Sequence, residues 1–187
     1  GWVEARPDGF IGSRASAKSF SFPAVHITAE ILPDTAMLVT ERRTWRFRGE
    51  YTWASQWLPT KGSTGIEVLS FAENGTEYRL SDDQTPGTYQ VTTAGGKVQI
   101  RWYYTAYNEE RTFTLRYLVK NAVQVYTDTA ELYWQFIGDE WEADTAQAVV
   151  EVILPQPVPE ESLRVWGHGP LHGNVHIVAP DRARWEV

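Results

Sequence analysis

The sequence contains no cysteine, and this absence excludes two kinds of stabilising or catalytic chemistry. Without thiols the chain can form neither a disulfide framework nor a zinc site with thiolate ligands. Clustered positive charge is also missing, because the longest basic cluster is the pair Arg42-Arg43 and the net charge is -7. Proteins that bind nucleic acid need a basic surface to neutralise phosphates, so we expect no nucleic-acid partner.

Long apolar runs and familiar catalytic motifs are absent as well. No stretch approaches the ~20 apolar residues that a membrane-spanning helix needs. The chain begins Gly1-Trp2 without a methionine, which favours a processed or excised piece that has lost any signal peptide or anchor. It has no Gly-x-Ser-x-Gly elbow, no Walker loop and no His-Glu-x-x-His, so we predict no enzymatic activity and no cofactor.

Aromatic residues, by contrast, are abundant, with nine Trp and nine Tyr among 187 residues. Aromatic and β-branched residues suit half-buried pleated surfaces. About eleven short alternating runs, separated by turn signals, predict an all-β fold: a two-sheet antiparallel β-sandwich, immunoglobulin-like or related, with little or no helix. A closed barrel is the alternative. We expect residues 1–19 to be a poorly ordered leader and residues 20–187 to be a single β-sandwich domain.

The clearest alternation lies between Val98 and Val119. Residues 98–104 place Trp102 on one side of a strand and Arg101 on the other, solvent-facing side. Residues 113–119 repeat the pattern after a turn signal at Tyr107 and Asn108. We predict that the two runs pair as a hairpin, with Trp102 opposite Phe113.

Other segments carry weaker strand signals. Asn74-Gly75 between two alternating runs predicts a tight hairpin turn. Residues 131–136 favour a strand over the alternative of a short helix at residues 129–137, and residues 163–166 predict a further short strand. On the predicted strand from Met37 to Phe47, Glu41 shares a face with apolar residues. It therefore needs a partner, for which Arg43 and Arg14 are the candidates.

Residues 49–64 lack clean alternation, and we interpret them as a long connection with exposed or half-buried aromatic side chains. Tyr51, Trp53 and Trp57 are candidate binding residues, because flat aromatic faces stack on sugar rings or anchor protein partners. The alternative interpretation is that these side chains cover an edge of the sandwich.

Three histidines recur every four residues near the end of the chain, at His168, His172 and His176. Imidazoles are common metal ligands, and three ligands converging on one point would form a metal site. The surrounding Gly167, Gly169, Pro170 and Gly173 argue against the helix that would stack these side chains, so a Gly/Pro turn is the alternative. His168 and His172 are also candidate binding residues, and no catalytic residue is assigned.

Four segments in order carry a resemblance to a known family. They are FSFPAVHITAEILPDTAMLVTERRTWRFRGEY, IRWYYTAYNEERTFTLRYLVKNAVQVYTDTAELYWQFIGDEWE, VVEVILP and LRVWGHGPLHGNV. The chain resembles the extracytoplasmic N-terminal domain of a bacterial family of predicted membrane proteins of unknown function, DUF2207. The resemblance spans nearly the whole chain from Phe20 and implies a β-sandwich that is tethered to a membrane by segments outside this sequence. It implies no established activity or ligand.

Three hypotheses for the function follow. The first, which we adopt, is a non-catalytic extracytoplasmic domain of a membrane-anchored bacterial protein that binds or senses an envelope or protein partner. The second is a carbohydrate-binding module that uses exposed aromatic residues. The third is a zinc-dependent hydrolase built on the three histidines.

Overall fold

The computed structural model describes residues 2–5, 18–137, 144–167 and 173–187. Within these residues the backbone forms fifteen β-strands, and its helical structure is one 3-10 turn at Glu160–Ser162. The strands are β1 (Trp2–Ala5), β2 (Ser19–Ile31), β3 (Met37–Arg48), β4 (Glu50–Pro59), β5 (Gly65–Glu73), β6 (Thr76–Glu77), β7 (Arg79–Leu80), β8 (Thr88–Ala94), β9 (Lys97–Tyr107), β10 (Glu110–Lys120), β11 (Val123–Val125), β12 (Ala130–Leu132), β13 (Ala148–Ile153), β14 (Asn174–Ala179) and β15 (Arg182–Glu186).

Most strands belong to two sheets that face each other. The five-stranded sheet has the order β1-β4-β9-β8-β7, and the eight-stranded sheet has the order β14-β15-β13-β2-β3-β10-β5-β6. This arrangement confirms the predicted all-β sandwich. One detail differs: β13 runs parallel to β2, and β7 runs parallel to β8, so both sheets are mixed rather than purely antiparallel.

Aromatic side chains from both sheets fill the space between them. Trp102 of β9 lies 4.7 Å from Phe71 and 5.7 Å from Trp45, measured between ring centroids. Phe47 and Tyr104 form a further cross-sheet pair at 5.3 Å. Tilted and edge-on contacts at these separations are the favoured geometry for aromatic pairs. The sequence's aromatic content therefore serves mainly the core.

The predicted hairpin between β9 and β10 is wrong, because the two strands lie in opposite sheets. Trp102 pairs with Ala54 and Tyr89, whereas Phe113 pairs with Arg43 and Glu73. The alternation of each strand is as predicted, since Trp102 and Phe113 both point into the core. Their rings contact each other at 5.6 Å, but across the sandwich interior rather than side by side in one sheet. The alternation of apolar and polar residues alone does not distinguish pairing within one sheet from contact across the interior.

Two adjacent corners carry the chain between the sheets. Gly49 is the single residue between β3 and β4 and has φ 90, and Asn108 lies between β9 and β10 with φ 46. Gly49 N donates a hydrogen bond to Asn108 Oδ1 at 2.7 Å, and Asn108 N donates one to Gly49 O at 3.3 Å. A Cβ atom at Gly49 would lie 2.6 Å from Cγ of Lys18. Glycine therefore meets both the conformational and the steric demands of this corner.

Several smaller predictions can be compared with the strands. Asn74 and Gly75 have φ 47 and 80 between β5 and β6, which confirms the tight hairpin turn. Of the strand predicted at residues 131–136, only Glu131 and Leu132 lie in a strand, β12, and residues 133–136 are irregular. Residues 163–166 are not a strand, so that prediction is wrong. The proline-rich segment before them ends in a 3-10 turn, and residues 163–166 form no sheet pairing.

Part of the predicted leader lies within the described residues. Residues 2–5 form β1 and pair with β4, with Trp2 opposite Trp57. Residues 6–17 lie outside the described residues, and the division at residues 19 and 20 stays a prediction.

Replacement of Trp102 by Ala tests the position of this side chain at the centre of the core. Trp102 is 1% exposed, so we expect Trp102→Ala to lower the free energy of unfolding by ~3–5 kcal/mol through lost burial and a residual cavity. Denaturant unfolding of the variant and the wild type measures this loss. Tyr107→Ala is the control, because Tyr107 is 67% exposed at the end of the same strand. A loss below ~1 kcal/mol for Trp102→Ala would contradict its place in the core.

Candidate functional site

The segment predicted as a long aromatic connection is in fact a strand inside the five-stranded sheet. Strand β4 runs from Glu50 to Pro59 and pairs with β1 on one side and β9 on the other. A bulge between Tyr51 and Trp53 shifts the register of β4 against β9 and interrupts the alternation. Polar Gln56 then occupies a core-facing position, so the rest of β4 does not show an alternation of apolar and polar residues in the sequence. These two features explain why the loop prediction was wrong.

Tyr51 does not belong to an exposed aromatic platform. It is 2% exposed, and its ring lies 5.1 Å from Phe47 in the core. Burial raises the pKa of the Tyr51 hydroxyl above its ordinary value. The structure therefore separates Tyr51 from the other two aromatic candidates, and a coplanar row of all three is not formed.

Trp53 and Trp57 lie on the opposite face of β4, which is the outer face of the five-stranded sheet. Both are half-buried, and Ser55 lies between them with 0% exposure. The neighbouring strand contributes Arg101, which pairs with Ser55 in the register of β4 and β9. We call Trp53, Ser55, Trp57 and Arg101 the outer-face cluster. It brings together two of the predicted binding residues and two polar residues that sequence reasoning did not assign.

The guanidinium of Arg101 stacks on an indole within this cluster. Its central carbon lies 4.2 Å from the centroid of the Trp53 ring, which is a cation–π geometry. Arg101 Nε and Ser55 Oγ are both buried and have no hydrogen-bond partner in the described part of the chain. The cluster thus combines aromatic surface, a held positive charge and unpaired polar atoms. The signal in the sequence was the alternation that placed Arg101 on the solvent side of its strand.

One of the three histidine candidates lies within the described residues. His176 lies on β14 with an exposed side chain, whereas His168 and His172 lie outside the described residues. Within the described ranges, no three His, Asp, Glu or Cys side chains form a group that could hold a metal ion. The metal hypothesis for the three histidines stays a prediction.

A buried polar cluster crosses the interior of the sandwich near β4. Arg43 Nη2 donates a hydrogen bond to Glu41 Oε1 at 2.5 Å, which confirms one of the two predicted partners of Glu41. Gln56 Nε2 reaches across from β4 and lies 3.1 Å from each Glu41 carboxylate oxygen. Burial lowers the pKa of Arg43, and the charge of Glu41 opposes this effect. The cluster satisfies the Glu41 carboxylate and ties the two sheets together.

A second polar cluster lies at the end of the sandwich near the two corners. Arg111 donates hydrogen bonds to both carboxylate oxygens of Glu73, one of them from Nη2 at 3.0 Å, and Tyr78 OH donates one at 2.8 Å. Arg111 Nη1 also donates to the carbonyl oxygen of Thr105 at 2.7 Å, which connects β10 to β9. Burial by itself would raise the pKa of Glu73, but the bonds from Arg111 and Tyr78 outweigh it, so this pKa lies below its ordinary value.

The fold and this surface define a β-sandwich domain with a candidate binding face. Residues 21–183 match the family described as "Predicted membrane protein (DUF2207) N-terminal domain". The chain therefore belongs to this family, as the resemblance implied. No curated protein matches the chain in sequence. In the part of the chain that the structure describes, no helix has the length and apolar character needed to cross a membrane.

Solved structures share the strand arrangement at low identity. A protein from Legionella pneumophila assigned as nutrient binding has a TM-score of 0.50 and 12% identity, covering 89% of this chain and 61% of that one. The M1 zinc metallopeptidase of Deinococcus radiodurans has a TM-score of 0.47 and 12% identity, covering 89% of this chain and 38% of that one. The chain thus spans less than two thirds of either structure. At these identities the likeness describes the fold alone.

Replacement of Glu73 by Gln tests the cluster of Glu73, Arg111 and Tyr78 through the pH dependence of the free energy of unfolding. Because the folded pKa lies below the ordinary 4.5, the carboxylate contributes its full stability above pH ~4.5 and loses it as the pH falls through the folded value. We expect Glu73→Gln to cost ~1–3 kcal/mol at pH 7, and the difference from wild type to shrink in acid. Urea unfolding between pH 7 and pH 3 measures the cost at pH 7 and its decrease in acid.

The control for this measurement is Glu77→Gln, because the Glu77 side chain is exposed on the neighbouring strand β6. Its effect should stay within ~0.5 kcal/mol at every pH. A stability difference for Glu73→Gln that is constant or grows as the pH falls would contradict the assigned direction of the pKa.

Proposed function

We propose that this chain is a non-catalytic, extracytoplasmic domain of a membrane-anchored protein, and that it binds an envelope or protein partner through the outer-face cluster. Its family membership supports the membrane association, because the family consists of N-terminal domains of predicted membrane proteins. The observation that carries the binding role is the placement of Trp53 and Trp57 beside Arg101, outside the core and on the outer face of the five-stranded sheet.

The side chains of the cluster have properties typical of binding surfaces. Tryptophan and arginine are enriched at the energetic centres of protein interfaces, since both offer a large contact area together with a polar group. Trp57 contributes to the outer face without a ring contact to the core aromatic residues in the described part of the chain. Its side chain therefore has an indole surface that a partner would cover.

The buried carboxylate of Glu41 and the partly buried carboxylate of Glu73 support a non-catalytic role. Glu41 is held by Arg43 and Gln56 between the sheets, and Glu73 is held by Arg111 and Tyr78. A general acid or base must reach the proton that it transfers. Both carboxylates instead accept hydrogen bonds that hold the sandwich together.

The carbohydrate-binding hypothesis stays as the second candidate, now restricted to Trp53 and Trp57. Four residues on one strand separate their Cα atoms by ~13 Å, and both indoles lie on the same face. Tyr51 no longer contributes, because it is buried. The zinc-hydrolase hypothesis rests on His168, His172 and His176 and gains no support from the described residues.

Binding to envelope material tests the proposal. We expect the wild-type chain to sediment with either membrane vesicles or insoluble cell-wall polymer, each prepared separately, and Trp57→Ala to lose this binding at least tenfold. Protease treatment of the fraction distinguishes a protein partner from a polymer. Trp166→Ala is the matched control, because Trp166 is 69% exposed and lies outside the cluster.

Two outcomes would contradict the proposal. One is a wild-type chain that remains in the supernatant with both fractions. The other is a Trp57→Ala variant that sediments as well as the wild type while Trp166→Ala loses binding. Circular dichroism of each variant verifies that the β-sheet content is unchanged, so that a loss of binding is not a loss of folding.

A further inference from the structure

We infer that the outer-face cluster recognises an acidic sugar, with the Arg101 guanidinium binding a carboxylate on a ring that packs against the indoles. This inference rests on the proposed function and names its ligand class. It is carried by three observations: the absence of a carboxylate partner for Arg101 in the described residues, the unpaired polar atoms beside it, and the position of β4 and β9 inside the sheet.

Arg101 differs from three other arginines of the sandwich in how its charge is held. Arg43, Arg46 and Arg111 each form a salt bridge with a glutamate. Within the described residues Arg101 makes no salt bridge, although the chain has 24 acidic residues and a net charge of -7. Its contact is instead the face of Trp53. A stacked guanidinium keeps its planar fork of donors oriented, and that fork matches a carboxylate bidentately.

Two polar atoms without partners lie in the same row of the sheet. Ser55 and Arg101 are directly opposed in the register of β4 and β9, and both Ser55 Oγ and Arg101 Nε lack a hydrogen-bond partner in the described part of the chain. Buried polar atoms without partners cost free energy. Arg101 as a whole is half-buried, so a carboxylate that binds its accessible guanidinium nitrogens would supply the counter-charge that this residue lacks within the described residues.

The sheet geometry favours a sugar over a peptide. Peptides that recognise β-sheets commonly add a strand to an exposed edge through their main-chain groups. Strand β4 is hydrogen-bonded to β1 and β9, and β9 is hydrogen-bonded to β4 and β8, so neither is an edge strand. The cluster therefore offers a ligand its side chains: the half-buried Trp57 indole and the fork of donors on Arg101, which is stacked on Trp53. Flat aromatic faces suit the apolar faces of sugar rings, and the fork suits a carboxylate on the ring.

Matched acidic and neutral sugars test this inference. The probes are the trimer of galacturonic acid and the trimer of galactose, which differ by the carboxylates, titrated into the wild-type chain and followed by isothermal calorimetry. We expect the acidic trimer to bind at least tenfold more tightly than the neutral one at low salt. This preference should weaken at 1 M salt, because screening reduces the attraction between the charges.

Variants at Arg101 assign the preference to this residue. Arg101→Gln should bind both trimers equally, a loss of at least tenfold for the acidic one, whereas its affinity for the neutral trimer should be unchanged. Arg101→Lys keeps the charge but loses the planar fork, so it should recover only part of the preference. It also provides a second variant if Arg101→Gln does not fold. Arg116→Gln is the matched control, because Arg116 is an exposed arginine on β10 of the other sheet.

The outcomes separate this inference from the proposed function. Equal binding of both trimers by the wild type, with loss in Trp57→Ala, would overturn the acidic ligand and leave the binding face intact. Binding of neither trimer by a chain that still sediments with envelope material would overturn the sugar. Equal binding of a hexaglutamate peptide and the acidic trimer would also overturn the sugar class. An unchanged affinity of Arg101→Gln for the acidic trimer would overturn the role of Arg101.

Discussion

The paired corner at Gly49 and Asn108 is the constraint on which the rest of this sandwich depends. Both residues have positive φ, and the hydrogen bonds between them hold the two sheet crossings together. Because a single residue separates β3 from β4, the chain leaves one sheet and enters the other almost without a loop. This sharp crossing turns Tyr51 into the core, and the bulge between Tyr51 and Trp53 then places Trp53 and Trp57 on the outer face of β4. The candidate binding surface thus follows from the corner and the bulge together.

The buried Glu41, Arg43 and Gln56 cluster complements this corner further along the same two strands. A buried ion pair gains little net stability, because desolvation offsets much of the attraction. Its value here lies in register: a slip of β4 by one residue would turn Gln56 outward and leave Glu41 with fewer donors. The cluster therefore selects the register that also brings Ser55 opposite Arg101. The same register of β4 therefore places the buried polar cluster inside the sandwich and the outer-face cluster outside it.

Sequence periodicity predicted the strands that have one apolar face. β3 and β10 alternate throughout, β2 alternates from Val25 and β9 as far as Trp102. The inward positions of Trp102 and Phe113 follow from that alternation. Which strands pair was not predictable in the same way, because two amphipathic strands satisfy their apolar faces equally well side by side or across an interior. The corner residues Gly49 and Asn108 decide between these arrangements. Asn108 carried a turn signal in the sequence, but not the direction of the turn.

The candidate site was only partly accessible from sequence for a related reason. Trp53 and Trp57 were identified as binding candidates from their residue type. Tyr51 was grouped with them because the sequence gives no sign of the bulge that follows it. Arg101 was placed on the solvent face, yet its approach to Trp53 depends on the pairing of β4 with β9. Contacts between strands that are 40 to 50 residues apart cannot be read from local period. The site is therefore a property of the topology.

Cross-strand nuclear Overhauser contacts would test the central claim most directly, since the claim is that the chain crosses between sheets at the paired corner. We expect backbone contacts between Ala54 and Trp102 and between Arg43 and Phe113, the pairs that the two sheets align. Between Trp102 and Phe113 we expect only side-chain contacts, because their rings meet across the core. Backbone contacts that align Trp102 with Phe113 as neighbours in one hairpin would contradict it.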